Sequence, residues 1–280
     1  MSEAGRKLLR FHFLRMLSHE PGTRAGEDIE ELHDMRVATR RMRSAFRVFA
    51  PFYKARAVRP YVVGLRRTAR ALGAVRDLDV FMQKAQVYLE GLGGERSGEL
   101  DILLDAWRSQ REQAREAMLE TLNGAKYRDF CESFQLFLET PGAGARFSES
   151  IPPRPSLVQH VAPQLVYARW AGVRAFDPLL DGTTVSVLHA LRIECKRLRY
   201  TLEFFREVLA PGVREVISEV VKLQDHLGDL NDADVANALL SDFLFGRGLK
   251  ATDDRLIAPG VVAYLAVKQR ELQRLIETFP

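Results

Sequence analysis

His33, Arg36, Arg40, Arg43 and Arg47 follow one another at intervals of three and four residues, and 156 positions further on His189, Arg192, Lys196 and Arg199 repeat the first four in register. Written out, His33-Asp-Met-Arg36-Val-Ala-Thr-Arg40-Arg41-Met-Arg43 aligns with His189-Ala-Leu-Arg192-Ile-Glu-Cys-Lys196-Arg197-Leu-Arg199. The chemistry open to such a row is anion binding, because a guanidinium presents a planar fork of N–H donors and keeps its charge at any physiological pH. A second motif trails each copy: Leu72-Gly73-Ala-Val-Arg76-Asp77-Leu-Asp79 and Leu227-Gly228-Asp-Leu-Asn231-Asp232-Ala-Asp234. Two repeated motifs predict a duplicated unit. Two such units facing each other place both histidine-plus-cation stripes around one cavity suited to a polyanion.

The stripes need helices to carry them. No proline or glycine interrupts residues 27–50. At about 100° per residue, His33, Arg36, Arg40, Arg43 and Arg47 fall within about 80° of arc, opposite Met35, Ala38, Met42, Ala45, Phe46 and Phe49. The second copy divides the same way, with Leu191, Leu198, Thr201, Leu202 and Phe205 on the apolar side. From His33 to Arg47 the stripe runs about 21 Å. Arg59, Arg66 and Arg70 share an arc of about 60° on the following helix and could form a second wall, with Arg6, Lys7, Arg10 and Arg15 available as a rim. In the second copy the positions of Arg66, Arg67 and Arg70 hold Val221, Lys222 and Asp225, so Lys222 alone joins the candidate ligand residues. The first half is therefore expected to hold a ligand more strongly.

Charge along the chain is segregated. Residues 33–76 contain twelve Lys or Arg and a single acid, Asp34, whereas the whole chain has a net charge of only +4. A solvated helix face usually mixes signs, since i, i+4 pairs of opposite charge stabilise a helix and like charges oppose it. Uncompensated repulsion on this scale points to a missing anion rather than to solubility.

The elements that position these residues read as all-α. Apolar residues recur at i, i+3, i+4 and i+7 over long windows, and alternation at period two is scarce. Helices are expected over 5–20, 27–50, 55–72, 78–92, 98–121 and 127–139, then over 157–175, 184–209, 212–227, 232–246 and 254–278, the last beginning after Pro259-Gly260 in an alternative reading. Pro21-Gly22, Pro51, Gly73, Gly91 to Gly94, Gly124, Pro178 and Pro211-Gly212 mark the stops. The Pro- and Gly-rich stretch 141–155 reads as a linker between halves 1–140 and 156–280, two bundle-like units with a pore or cleft between them. No apolar run approaches the roughly 20 residues of a spanning helix, and no secretion signal is visible, so a cytoplasmic home is expected. Cys131 and Cys195 sit in apolar-periodic stretches as core residues, with neither a disulfide framework nor zinc implied.

Three readings of His33 and His189 stand: phosphorylation, metal binding, or a hydrogen bond and adjustable charge offered to an anion, with a pKa held down by neighbouring cations. A structural role, tying adjacent helices, competes with all three. Metal is disfavoured because neither histidine has a second ligand at i+3 or i+4. Arg41 and Arg197 lie about 120° off their stripes and are expected to pair with Asp77 or Asp79 and with Asp232 or Asp234. Those aspartates, following a glycine stop, read as N-caps or structural partners, with a metal role as the lesser alternative. Nucleotide loops, nucleophile elbows and His-Glu-x-x-His helices are absent from the sequence, so no enzyme, catalytic residue, cofactor or metal is expected.

With these motifs in hand, the chain resembles the CHAD family, the conserved histidine α-helical domain, over nearly its whole length. The resemblance implies two pseudo-symmetric four-helix bundles around a basic central pore that binds inorganic polyphosphate, and places the ligand residues at His33, Arg36, Arg40, Arg41 and Arg43 and at His189, Arg192, Lys196, Arg197 and Arg199. It also brings in polyphosphate or polyhydroxyalkanoate granules as settings. Polyphosphate carries about one negative charge per phosphate and has no base edges to read, so spaced cations suffice to hold it. The alternating Glu-x-Glu-x-Lys signature of the tunnel triphosphatases fused to some family members is missing. The alternatives are nucleic-acid binding through the same basic surface, histidine phosphotransfer, and a structural partner of the granule surface.

Overall fold

Long helices arise wherever the apolar stripe runs unbroken. In the computed structural model, which describes residues 1–92, 98–146, 155–245 and 259–279, these are α1 (Ser2–Ala25), α2 (Ile29–Phe49), α3 (Ala55–Leu92), α4 (Asp101–Asn123) and α5 (Ala125–Glu139). After them come α6 (Val158–Arg174), α7 (Val185–Phe205), α8 (Val213–Phe245) and α9 (Pro259–Glu277), with short 3-10 turns at Ala50–Phe52, Asp177–Leu179 and Arg206–Val208. The fold is all-α, and no strand occurs among the described residues. None of the described helices is long and apolar enough to cross a membrane. Much of the expected linker, residues 147–154, and the start of the expected last helix, 254–258, lie outside the described residues.

Three expected breaks are absent. Two expected helices merge into α3 across Gly73, and two more into α8 across Gly228. A helical glycine costs only about 1 kcal/mol relative to alanine, which the packing of flanking residues outweighs. Leu72 and Val75 on either side of Gly73 are fully buried, as is Leu227 beside Gly228. Likewise α1 runs through Pro21 and Gly22 and ends at Gly26, whose φ of 74° supplies the left-handed cap. A Cβ on Gly22 would lie 2.4 Å from Glu31 Cγ, so that glycine is a close-approach point between α1 and α2 rather than a stop.

The main core gathers α1 to α5, with Phe13, Met35, Met42, Leu65 and Phe134 almost fully buried. A second cluster joins both halves: Ala85, Leu103 and Trp107 of α3 and α4 pack with Leu240, Val261 and Tyr264 of α8 and α9. Two further clusters hold α6, α7, α8 and α9 together. Helices α2 and α7 also touch directly, with the Phe49 and Phe205 rings 5.6 Å apart. That contact brings the two basic helices to one place.

Candidate functional site

Both stripes owe their direction to the residues behind them. Met35, Ala38, Met42, Ala45 and Phe49 bury one side of α2, and Leu188, Leu191, Cys195, Leu198 and Leu202 bury one side of α7. The opposite sides border a cavity of about 730 Å³. From α2 it takes Arg36, Arg40, Arg43, Ser44, Arg47 and Val48; from α7, Arg192, Ile193, Lys196, Arg197 and Tyr200; from α3 and α6, Ala69 and Arg169. Eight of these residues are cationic and none is acidic. The lining draws four cations from each half.

Few of these charges are neutralised. Arg36 donates to Asp77 at 3.0 Å, and Arg197 pairs with Glu194 on its own helix. Arg36 reaches Asp77 by crossing Gly73, where a Cβ would sit 2.7 Å from its Nη1. This close approach accounts for a glycine in the middle of α3. The Nε of Arg40 is buried with no hydrogen-bond partner. Burial first, and then the neighbouring Arg40, Arg192 and Arg36, bring Lys196 down to about 7. Burial also holds Arg43 and Arg47 below the ordinary arginine value, and the charge of Arg66 adds to the effect. This is the electrostatic signature of a site that costs energy to hold empty and gains from an anion.

Other candidates lie elsewhere. His189 Nδ1 is 2.8 Å from Asn231 Oδ1, joining α7 to α8. His33 has its pKa lowered, mainly by burial and secondly by Arg76, the residue that occupies the register of Asn231 in the first copy. The expected direction of the His33 shift is present, with desolvation rather than the cations as its largest cause. Neither histidine borders the cavity. Arg59, Arg66 and Arg70 are exposed on α3, outside the lining. Lys222 is exposed and paired with Glu219 at 2.8 Å. Arg199 is not among the lining residues and lies 3.3 Å from Glu203, with its guanidinium 5.3 Å from the Tyr200 ring centre.

The aspartates of the second motif are not caps, because α3 and α8 continue through them. Asp77, Asp79 and Asp232 are instead structural partners, of Arg36, of Arg111 at 2.6 Å and of Lys84 at 2.7 Å, while Asp234 is exposed. Nor do they pair with Arg41 and Arg197. Arg41 binds Glu203 of α7 at 2.8 Å and Arg197 binds Glu194. The difference between the two off-stripe arginines has a simple cause: the register mate of Glu203 is Arg47, so across from Arg197 there is a repelling cation instead of a carboxylate. Arg197 consequently faces the cavity. Among the described residues, no group of three or more His, Cys, Asp or Glu side chains is placed to hold a metal.

Sequence reasoning missed Arg169, Ser44 and Tyr200. Ser44 and Tyr200 are separated by the same 156 positions as the stripes and directly follow Arg43 and Arg199, so the repeat itself carried their signal. Arg169 aligns with Phe13 of the first copy, a core residue packed on Phe134 of α5, and had no such signal.

The overall arrangement is shared with solved structures. The CHAD domain of the plant Ricinus communis superposes with a TM-score of 0.71 at 22% identity, covering 100% of this chain and 92% of that one. PptA from Streptomyces chartreusis gives 0.70 at 14% identity, covering 99% and 96%. Two uncharacterized proteins of Mycobacterium tuberculosis, from strains CDC 1551 / Oshkosh and ATCC 25618 / H37Rv, are each 27% identical over 210 residues, which is 74% of this chain and 39% of theirs. The chain thus matches well under half the length of these relatives. The CHAD domain family model matches residues 7–241, most of the sequence and both arginine stripes, and the chain belongs to the CHAD domain family.

Proposed function

We propose that this protein binds inorganic polyphosphate in the cavity between α2 and α7, acting as a scaffold, sensor or granule-targeting module and not as an enzyme. The observation that carries this reading is the lining itself, in which eight cations stand with no acidic residue beside them among the described lining residues. A linear chain of phosphoryl groups matches the geometry, because it needs only spaced cations and can enter a cavity of about 730 Å³. A nucleic-acid duplex is too bulky for this space. A single strand normally relies on aromatic faces that stack its bases. Tyr200 is the sole aromatic among the described lining residues, and its ring already carries Arg41 and Arg199 at 5.7 and 5.3 Å. A cytoplasmic, granule-associated setting belongs to the same proposal.

Titration with polyphosphate of defined lengths at two salt concentrations tests it. Affinity should rise with chain length, and should fall steeply with salt as each neutralised phosphate releases its condensed counterions. Displacement of long-chain polyphosphate by duplex DNA or RNA at equal phosphate concentration would favour a nucleic-acid role instead. Acid-labile phosphate on His33 or His189 would favour phosphotransfer.

A further inference from the structure

Tyr200 is 2% exposed, yet its hydroxyl proton finds no acceptor among the described residues. A buried donor left unmade destabilises a protein, and a phenylalanine would fill the same space without that cost. The guanidinium of Arg40 lies beside this hydroxyl, but arginine has donors only, so any contact between them uses the phenolic oxygen as acceptor. The O–H proton still has no acceptor among the described residues. Nor can the cavity lining supply a side-chain carboxylate, since it contains none. The register mate of Tyr200 in the first copy is Ser44, a second hydroxyl, 7% exposed and also lining the cavity. Both halves therefore place a neutral donor directly after a basic-stripe residue.

Building on the polyphosphate reading above, we propose that the Tyr200 hydroxyl, with Ser44 Oγ as its counterpart, forms a neutral hydrogen-bonding subsite that donates to a non-bridging phosphoryl oxygen inside the cationic cavity. The cations supply long-range attraction to any polyanion. The hydroxyls add a short-range, directional contact that fixes the register of the phosphoryl chain against α2 and α7.

Tyr200→Phe separates this role from the electrostatic one. The variant should bind polyphosphate of defined length roughly three- to tenfold more weakly. The slope of log affinity against log salt should be unchanged, because no cation is lost. Without ligand it should melt no lower than the parent protein, because the proton of the lost hydroxyl had no acceptor to give up. Ser44→Ala should give a smaller loss with the same unchanged slope. If the parent protein binds with a steep salt dependence but Tyr200→Phe binds equally well, the subsite is wrong while the cavity reading stands. A lower melting temperature for the ligand-free variant would make the hydroxyl structural and also overturn the subsite. Absence of binding to the parent protein would remove both proposals.

Discussion

Raising the pH from 7 to 9 should weaken polyphosphate binding by up to about 50-fold, and Lys196→Met should abolish this dependence. With the cavity empty, burial and four neighbouring arginines hold Lys196 at about 7, so at neutral pH only about half the molecules carry the charge. A bound polyanion restores the charged form, which means that binding takes up a proton wherever the pH lies above 7. Affinity must then fall as pH rises, by at most tenfold per unit, until the pKa of the bound state is reached. Stability of the ligand-free protein should move the other way. Lys196 has a lower pKa folded than unfolded, so between pH 7 and its ordinary value of 10.5 the unfolded chain holds more protons. Folding stability contributed by this group therefore increases with pH across that window. Isothermal titration and thermal melts at pH 7, 8 and 9, with Lys196→Met as control, read both slopes. A flat affinity profile in the parent protein would show that Lys196 is not coupled to the ligand.

Arg40→Gln should reduce affinity by roughly 10- to 100-fold and lower the salt slope by about one. Arg40 is the cation most deeply committed to the cavity: its Nε is buried and unpaired, and Arg36, Arg199 and Lys196 surround it. Arg41→Ala, by contrast, should change affinity little, since that guanidinium is held by Glu203 at 2.8 Å. Removing Arg40 also removes the largest charge acting on Lys196, so in Arg40→Gln the pH at which binding weakens should move upward. The same substitution relieves repulsion in the empty cavity and should leave the ligand-free protein at least as stable. Equal losses for Arg40→Gln and Arg41→Ala would place the ligand outside the cavity.

Much of this is legible in the residues themselves. Helical periodicity, with Met35, Met42 and Phe49 opposite Arg36, Arg40 and Arg43, sets both the all-α class and the separation of core from charge, because a helix turns 3.6 residues at a time whatever surrounds it. Local signals were weaker guides to where helices end. Gly73 and Gly228 carry the composition of a stop, but the cost of glycine in a helix is small beside the burial of Leu72, Val75 and Leu227, which only the assembled core supplies.

The repeat encoded which residues could share a site: four cations on α2 and three on α7 meet around one cavity, at positions fixed by spacing along single helices. Which of them meet a ligand-sized space, and which are tied off, depends on contacts between elements far apart in the chain. Glu203 neutralises Arg41 while its register mate Arg47 repels Arg197. Arg169 borders the cavity although its register mate Phe13 is core, and Lys196 acquires its depressed pKa from burial in the packed fold, with Arg40 and Arg36 of α2 adding to Arg192 and Arg199 of its own helix. Periodicity acts within a helix and is written in neighbouring residues, whereas charge pairing and desolvation act through space and exist only once the helices have packed.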